Sequence, residues 1–409
     1  MAVVVGRLLG SAFLICLLTG LYSHFLQDPL PWMHFPTSPS TLYQVTQGIH
    51  ITAGIACFPL LLGKLYVIYP ELFSYPPIKN FAGFLERASI ALFVSSSIVQ
   101  IVTGLFDTFQ WYPFPFNFRQ VHFALSFVII GSLAIHIAVK LPLISRYWTH
   151  KKSYDADGNL ILDEEDLAPT KETVAANLAD APQPTGPFAR RADGITGRVM
   201  EWIDAAPPRG DPAVSRRGFI ATLLVATAAV VALTAGQSFR VLDGLNVFAP
   251  RKNGIGPSGL PVNRTAKEAQ VTDALTGSDW QLTVARGSAV KTFSRADLLA
   301  MKQYEVQLPI ACVEGWSQLA TWRGVRLRDL MDTVGAHADE DLRLTSLEKS
   351  GGYRVTEMGN EFVQNDLTLV ALELNGQKLA MDHGYPARMI APARPGVLQT
   401  KWLSKLEVI

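Results

Sequence analysis

The stretch LYQVTQGIHITAGIACFPLLLG, residues 42–63, decides the architecture of the first third of the chain. It contains no Asp, Glu, Lys or Arg, and it holds one histidine, His50. A helix of about 20 apolar residues is long enough to cross the roughly 30 Å hydrocarbon core of a bilayer. The stretch is therefore predicted to be a transmembrane helix that carries an imidazole inside the membrane.

Four other stretches have the same length and apolar character. They are residues 8–26, 88–106, 120–139 and 218–236. These runs explain why only 17% of the 409 residues are charged, against about 25% in an average soluble domain. The first run is not predicted to be a cleaved signal peptide, because it lacks a small-x-small cleavage site and further spans follow it. A five-span membrane protein is predicted, and a purely cytoplasmic enzyme is excluded.

Loop charges predict the orientation of the spans. Segments 27–41 and 107–118 contain no Lys or Arg, whereas segment 64–87 contains Lys64, Lys79 and Arg87, and segment 140–217 contains several of each. Cytoplasmic loops carry the excess of positive residues, so the N-terminus is predicted to be cytoplasmic and the C-terminal domain to lie outside the cell membrane. The lipid bilayer is thus a predicted partner. A net charge of +1 leaves no bulk basic surface for nucleic acid.

The sequence divides into four predicted segments. Residues 1–145 form a four-helix membrane domain, residues 146–217 a flexible cytoplasmic loop, residues 218–236 the fifth span, and residues 237–409 an outer domain. The loop is predicted to be flexible because it is rich in Pro, Ala and acidic residues. The predicted fold class is multi-domain: an all-α transmembrane bundle of four helices plus a fifth span, followed by a mixed α+β domain.

The outer domain shows short runs of alternating apolar and polar residues, which are typical of strands. They are residues 280–287, 304–312, 341–348 and 402–409. Two stretches with helical patterns, residues 294–302 and 327–335, lie between them. This mixture of short elements predicts one compact α+β domain.

Besides His24 at the outer end of the first run, three histidines lie inside the predicted spans, where an ionisable residue is costly and points to function. They are His50, His122 and His136. A single such histidine can simply hydrogen-bond a neighbouring helix, but several on facing helices suit the axial ligation of a haem iron. At about 1.5 Å per residue, His50 lies about 21 Å and His122 about 27 Å from the inner face, whereas His136 lies about 6 Å from it. His50 and His122 are therefore predicted to ligate one haem near the outer leaflet.

The spacing of 14 residues between His122 and His136 puts both on nearly the same helix face. With the four-span pattern of residues 1–145, it resembles the membrane cytochrome b (gamma) subunits of formate dehydrogenases, whose fourth helix carries two haem ligands at this spacing. The resemblance implies haem b as a cofactor, a quinone, quinol or other membrane redox carrier as a partner, and His136 as a ligand of a second haem. In that family a histidine follows an arginine by three residues on the first helix, but here Gly10 follows Arg7. One haem or two is therefore left open.

Arg216 and Arg217 precede the fifth span, and as positive-inside anchors they suffice to orient it. The motif Ser-Arg-Arg-x-Phe at residues 215–219, followed by a mildly apolar run of Ala, Thr and Val, also resembles a twin-arginine export signal. That resemblance implies that the twin-arginine machinery exports the folded outer domain and that the Sec machinery inserts the earlier spans.

Cys312, in ACVEGWSQLATWRGVRLRDLM at residues 311–331, is the one cysteine of three outside the predicted spans. The residues around Gly315 indicate a loop that follows a strand. A lone cysteine is often a small buried hydrophobe, whereas a thiolate on a loop is a candidate nucleophile or soft-metal ligand. Spacing alone leaves these three interpretations open.

Together with ALELNGQKLAMDHGYPARMIAPARPGVLQTKWLSKLEVI at residues 371–409, this segment resembles the sulfite oxidase family of molybdopterin enzymes. The resemblance implies Mo-molybdopterin as a cofactor, Cys312 as the thiolate ligand of molybdenum, and Glu314 as a residue of the catalytic pocket. Cationic side chains suit the anionic cofactor. The cofactor-binding residues that the resemblance implies are Asn263, Arg264, His383, Arg388 and Lys401.

The segment after Cys312 departs from the eukaryotic members of that family. Glu314, Gly315 and Trp316 stand where those enzymes have a basic segment, so sulfite is not implied as the substrate. The segment is more similar to the exported bacterial branch. The whole chain resembles a group of actinobacterial five-span membrane molybdoproteins.

The sequence thus predicts an enzyme: a membrane-bound molybdenum oxidoreductase that transfers oxygen atoms on a small or protein-borne substrate outside the membrane. A b-type haem would relay electrons to or from the quinone pool. One alternative is a haem b electron-transfer cytochrome whose outer domain is a docking module without molybdenum. Another is a membrane anchor with a carbohydrate- or protein-binding head and neither metal.

Overall fold

The computed structural model describes residues 2–72, 81–148 and 216–409. The chain forms two compact units, one of Ala2–His136 with Val225–Ile409 and the other of Ile137–Leu224. The described part of the second unit consists of the end of one long helix and the beginning of another. Most of the predicted cytoplasmic loop, residues 149–215, lies outside the described residues, and so does Ser215 of the twin-arginine motif.

Five long helices account for the apolar runs. They are α1 (Ala2–Gln27), α2 (Leu42–Leu72), α3 (Phe81–Phe109), α4 (Phe118–Arg146) and α5 (Arg216–Thr234). Within the part of the chain that the structure describes, five segments are long and apolar enough to cross a membrane, namely Ala2–Gln27, Leu42–Ile68, Arg87–Phe109, Phe118–Leu141 and Arg217–Gln237. The predicted five-span arrangement is therefore confirmed, and the chain is a multi-pass membrane protein.

The outer domain is built from short strands. They are β1 (Gln281–Arg286), β2 (Ala289–Ser294), β3 (Tyr304–Ala311), β4 (Ser317–Arg326), β5 (Leu342–Ser346), β6 (Val355–Met358), β7 (Leu369–Leu374), β8 (Gln377–Lys378), β9 (Arg388–Ile390) and β10 (Leu403–Val408). Three short helices lie between them: α6 (Arg295–Ala300), α7 (Leu327–Asp332) and α8 (Asn360–Val363). The predicted mixed α+β class is confirmed.

The strands form two five-stranded sheets. One has the order β2-β1-β10-β5-β6, in which β1 and β10 are parallel and the other pairs antiparallel. The other has the order β3-β4-β7-β8, with β9 paired to β7. In β1 the side chains of Leu282 and Val284 are fully buried, and they pack in one core with Leu344 of β5 and Leu406 of β10. This alternation of buried positions is the pattern that made the strands visible in the sequence.

Local sequence signals also explain where elements begin. Ser294 ends β2 and caps α6, since its side chain accepts a hydrogen bond from the backbone N–H of Asp297 while the Asp297 side chain accepts one from the backbone N–H of Ser294. Such a reciprocal cap satisfies two donors that a helix start otherwise leaves unpaired.

The central strand of the first sheet gives a test of the core. Leu406 of β10 is fully buried and lies between Val284 of β1 and Leu344 of β5. Leu406→Ala should lower the free energy of unfolding by about 2–5 kcal/mol, because it leaves a cavity in a packed core. Lys291→Ala, at an exposed position of edge strand β2, should change it by no more than about 0.5 kcal/mol. Denaturant unfolding followed by tryptophan fluorescence measures both, and equal effects would contradict this core.

Candidate functional site

Two of the three intramembrane histidines face each other. His50 of α2 and His122 of α4 have ring centroids 6.2 Å apart and ring planes at 69°. Nδ1 of His50 lies 3.0 Å from the carbonyl oxygen of Cys16, and Nδ1 of His122 lies 3.3 Å from the hydroxyl oxygen of Thr103. A histidine that donates through Nδ1 keeps the lone pair of Nε2 for a metal.

This spacing fits a haem iron held by both rings. Imidazole–metal bonds are about 2 Å long, so two rings bound through Nε2 to opposite sides of one metal have centroids about 6 Å apart. The neighbouring helices approach both rings through glycines. A Cβ atom at Gly20 of α1 would lie 3.0 Å from Cε1 of His50, and one at Gly104 of α3 would lie 3.2 Å from Cε1 of His122. A larger residue at either position would displace a ring.

His136 lies in a different environment. Its ring stacks on Phe93 of α3 with centroids 6.2 Å apart and planes at 14°. Phe93 in turn contacts Phe13 of α1 edge-on at 5.7 Å. The structure thus brings His50 and His122 together and gives His136 aromatic neighbours, and a haem role for His136 stays a prediction.

Cys312 sits in the tight loop that joins β3 to β4. The backbone N–H of Cys312 donates to the carbonyl of Trp316 over 2.8 Å, and that of Gly315 donates to the carbonyl of Cys312 over 3.0 Å. Gly315 has φ of 96°, a left-handed conformation that glycine adopts without strain. The Cys312 side chain is 1% exposed, and burial raises the pKa of its thiol. A soft metal bound to the sulfur would replace the proton and stabilise the thiolate.

Glu314 is buried beside this cysteine. Burial raises the pKa of Glu314 to about 7, and its carboxylate accepts a hydrogen bond from the indole N–H of Trp316 over 3.2 Å. The side-chain amide of Gln110, in the loop between α3 and α4, donates to the same carboxylate and to the carbonyl of Asn263 over 2.9 Å. Arg251 donates to the amide oxygen of Gln110. The membrane domain therefore contributes directly to the pocket beside Cys312.

Three basic residues of the C-terminal motif lie beside that pocket. Burial lowers the pKa of Lys401 to about 7, of Arg388 to about 9 and of His383 to about 4, and Arg388 also lowers the pKa of the other two. Their hydrogen-bond partners are backbone carbonyls: Arg264 and Asp382 for Lys401, Pro257 and Leu260 for His383, and His383 and Gln399 for Arg388. Buried positive charge is unfavourable without an anion, so this donor set suits an anionic cofactor.

Arg264 reaches the same region from the segment before β1. Its guanidinium pairs with Glu348 at 2.7 Å and donates to the carbonyl of Ser350 over 2.7 Å. Its own carbonyl accepts from Lys401 at 2.7 Å. Asn263 and Arg264 thus lie near Lys401, and a cofactor-binding role for them stays a prediction.

A cavity of about 660 Å³ joins the two sets of residues. Its lining includes His50, His122, Asn263, Arg264, Glu314 and Lys401. Among the described residues, Cys312, His383 and Arg388 do not line it. They lie buried behind its wall, at 1–2% exposure, and their predicted contacts with a cofactor remain predictions.

Sequence reasoning missed Gln47 and Gln110. Gln47 of α2 donates to the carbonyl of Val313 over 2.7 Å, and Gln110 joins Glu314 across 204 residues of sequence. Gln110 has no local signal, because an amide in a loop between two helices is ordinary. Gln47 does have one, since an amide inside an apolar span must find a partner.

Comparison with known families supports both halves of this description. The family model for an oxidoreductase molybdopterin binding domain matches residues 268–409, and that for prokaryotic cytochrome b561 matches residues 7–141.

Three curated relatives illustrate the similarity. The uncharacterized oxidoreductase YuiH of Bacillus subtilis is 30% identical over 112 residues, which are 27% of this chain and 55% of that protein. The mitochondrial sulfite oxidase of Drosophila melanogaster is 27% identical over 158 residues, which cover 32% of this chain and 27% of that protein. The putative protein-methionine-sulfoxide reductase subunit YedZ1 of Azospira oryzae is 28% identical over 112 residues, which cover 27% of this chain and 42% of that protein. The chain spans about half the length of these relatives or less.

Among solved structures, the sulfane dehydrogenase SoxCD of Paracoccus pantotrophus matches with 20% identity and a TM-score of 0.31. The match covers 39% of this chain and 44% of that one.

Removing one of the facing imidazoles tests the haem site. His122→Ala should abolish the haem absorbance of the dithionite-reduced protein, because one axial ligand is lost, while molybdenum measured by mass spectrometry is retained. His136→Ala is the matched comparison on the same helix and should keep the haem absorbance. A haem band of undiminished intensity in His122→Ala contradicts the pairing with His50.

The buried basic residues predict a pH dependence for protein made without its molybdenum cofactor. The folded-state pKa of Lys401 is about 7, against about 10.4 in an unfolded chain. The folded form therefore binds fewer protons than the unfolded form above pH 7, and stability rises as the pH increases towards 9. The thermal midpoint should show this rise, and Lys401→Met should flatten it. A midpoint independent of pH in the unsubstituted protein would contradict the buried, unneutralised lysine.

Proposed function

We propose that the chain is a molybdenum- and haem b-dependent membrane oxidoreductase that transfers oxygen atoms outside the membrane. The proposal is supported by the match of residues 7–141 to prokaryotic cytochrome b561 and of residues 268–409 to an oxidoreductase molybdopterin binding domain. Bound molybdenum supplies the two-electron chemistry, and bound haem the one-electron steps. In this proposal one haem, between His50 and His122, relays electrons to or from the quinone pool.

The observation that carries this proposal is the cavity shared by the two sites. His50 and His122 line one part of it, and Glu314 and Lys401 line another. Cofactors held beside one cavity would be close enough to exchange electrons. A docking module without molybdenum would need neither the buried thiol of Cys312 nor the basic residues around Lys401.

The side chains divide the work of the molybdenum site. Cys312 is proposed as the ligand of the metal, and Lys401, Arg264 and Asn263 as donors to the anionic part of the cofactor. His383 and Arg388 hydrogen-bond the carbonyls of Pro257 and His383, and their contact with the cofactor is part of the proposal. Glu314, held by Trp316 and by Gln110 of the membrane domain, would face the reacting substrate.

Contacts between the loops and the outer domain support the proposed orientation. The backbone N–H of Phe35 donates to Glu361 over 3.1 Å, and Asn365 donates to Thr37 over 2.9 Å. Gln110 reaches Asn263 from the other loop. Both loops lack Lys and Arg, which favours the non-cytoplasmic side for them and for the domain that they contact. Export through the twin-arginine machinery, with Arg216 and Arg217 at the start of α5, remains part of the proposal.

The names of the relatives support the chemical class of the substrate. A sulfite oxidase and a putative protein-methionine-sulfoxide reductase subunit both refer to sulfur compounds that gain or lose oxygen. The substrate proposed here is accordingly a small or protein-borne donor or acceptor of an oxygen atom.

Replacing the metal ligand tests the proposal. The haem of the purified protein is reduced with dithionite, excess reductant is removed, and sulfoxides and N-oxides are added one at a time. At least one should reoxidise the haem in the unsubstituted protein. Cys312→Ser should lose this reaction and keep the haem spectrum, because the molybdenum centre alone is disabled. Oxidised protein mixed with sulfite tests the opposite direction of electron flow.

Cys57→Ala, at a buried cysteine of α2, is the matched control and should retain the reaction. A Cys312→Ser protein that reacts as fast as the unsubstituted protein would contradict the assignment of Cys312. Protein that contains haem but no molybdenum, from a host that makes the cofactor, would favour the docking-module alternative.

A further inference from the structure

The outer end of α2 packs directly on the loop that carries Cys312. Gln44 donates to the hydroxyl of Ser317 over 3.0 Å, and Gln47 donates to the carbonyl of Val313 over 2.7 Å. A Cβ atom at Gly315 would lie 2.6 Å from Cγ1 of Ile51, so the loop backbone touches the helix there. The helix that holds one predicted haem ligand is therefore in contact with the loop that holds the predicted molybdenum ligand.

Gln47 stands out within this contact. It is 5% exposed inside a span that has no Asp, Glu, Lys or Arg, and it lies one helical turn before His50 on the same face. Its amide oxygen is buried and has no hydrogen-bond partner among the described residues. Burying an amide with one group unpaired costs free energy, which an apolar side chain of the same size would avoid. The amide therefore costs stability here, and its N–H group makes one specific contact.

We propose that Gln47 is the bridge through which electrons pass between the molybdenum-ligand loop and the haem-ligand helix. The inference rests on the proposed function. Val313 follows Cys312 in the chain, so covalent bonds lead from the Cys312 sulfur to the Val313 carbonyl. One hydrogen bond of 2.7 Å leads on to the Gln47 amide, and covalent bonds lead from there along α2 to His50.

The other two contacts are weaker routes. The bond from Gln44 ends on the side chain of Ser317, five residues beyond Cys312. Ile51 meets Gly315 only through van der Waals contact. Electron tunnelling falls off less steeply through covalent and hydrogen bonds than across a gap between non-bonded atoms. Gln47 thus offers the bonded route with the fewest residues between Cys312 and His50.

The electron count for this bridge is complete. A haem bound by His50 and His122 would supply electrons one at a time, and molybdenum bound by Cys312 would supply the two-electron chemistry. Two passages of an electron across Gln47 would therefore serve one oxygen-atom transfer, in which the oxygen removed from the substrate leaves as water with two protons. A quinol is the reductant, since its oxidation to quinone releases two electrons and two protons. With a substrate that is oxidised, the electrons cross the same bridge in the opposite direction and a quinone accepts them.

The test measures electron transfer in the holoenzyme without an identified substrate. A laser flash in the presence of a deazaflavin photoreductant delivers one electron to ferric haem, and absorbance follows the return of the haem to the ferric state as the electron reaches oxidised molybdenum. Gln47→Met keeps the length of the side chain and removes the N–H donor. It should slow this return by about tenfold or more, which corresponds to about 1.4 kcal/mol in a rate.

Two further variants separate the bridge from general packing. Gln44→Met breaks the neighbouring contact of the same helix and should leave the rate within about twofold of the unsubstituted protein. Gln47→Asn keeps an amide that is one methylene too short to reach Val313 and should be slow, like Gln47→Met. In all three variants the haem reduction potential and the metal content should equal those of the unsubstituted protein. If Gln47 had only a structural role, its replacement would be expected to change one of these two quantities as well.

The outcomes distinguish the bridge from the proposed function. If the haem of the unsubstituted protein returns to the ferric state and Gln47→Met does so equally fast, the bridge is wrong and the proposed function stands. The same holds if Gln44→Met slows the return as much as Gln47→Met. If the unsubstituted protein contains both metals but shows no electron transfer between them, the proposed circuit is wrong, and the bridge with it.

Discussion

The hydrogen bonds at Nδ1 of His50 and His122 are the constraint on which the membrane half of the structure depends. Each imidazole is oriented through Nδ1 by a neighbour, Cys16 for His50 and Thr103 for His122, and this leaves Nε2 available for a metal. Two rings with centroids 6.2 Å apart match the separation that a single iron requires. The helices must meet closely for this, and the glycines beside the rings provide the room.

The outer domain depends on a complementary constraint, which is a cluster of basic side chains whose charged forms are disfavoured by burial. Lys401, Arg388 and His383 are buried, their hydrogen bonds go to carbonyl oxygens, and burial lowers the pKa of each. An anionic molybdenum cofactor would supply the missing negative charge. Its binding would then stabilise the folded domain as well as bring the metal to Cys312. A haem iron would thus occupy the space between the two facing imidazoles, and an anionic cofactor would stabilise the charged forms of the buried basic residues.

Much of the fold could be predicted from the sequence because its signals are local. Runs of apolar residues located the five spans, alternation located β1, β3, β5 and β10, and counting residues along the helices paired His50 with His122 in depth. The contacts between the two halves had no such signal. Gln110 meets Glu314 across 204 residues and Gln47 meets Val313 across 266, and only the packing of the whole chain brings them together. Motif resemblance likewise pointed to His383 and Arg388 without indicating that they lie behind the cavity wall rather than in it.

The central claim is that one chain holds one haem and one molybdenum centre beside a shared cavity. Counting iron and molybdenum per polypeptide in the detergent-purified protein tests it most directly. About one atom of each is expected, since among the described residues one pair of facing histidines lines the cavity and one proposed cysteine ligand, Cys312, lies behind its wall. Iron near two per chain would contradict the single haem and would make His136 a ligand. Iron without molybdenum, from a host that makes the cofactor, would contradict the account of the outer domain.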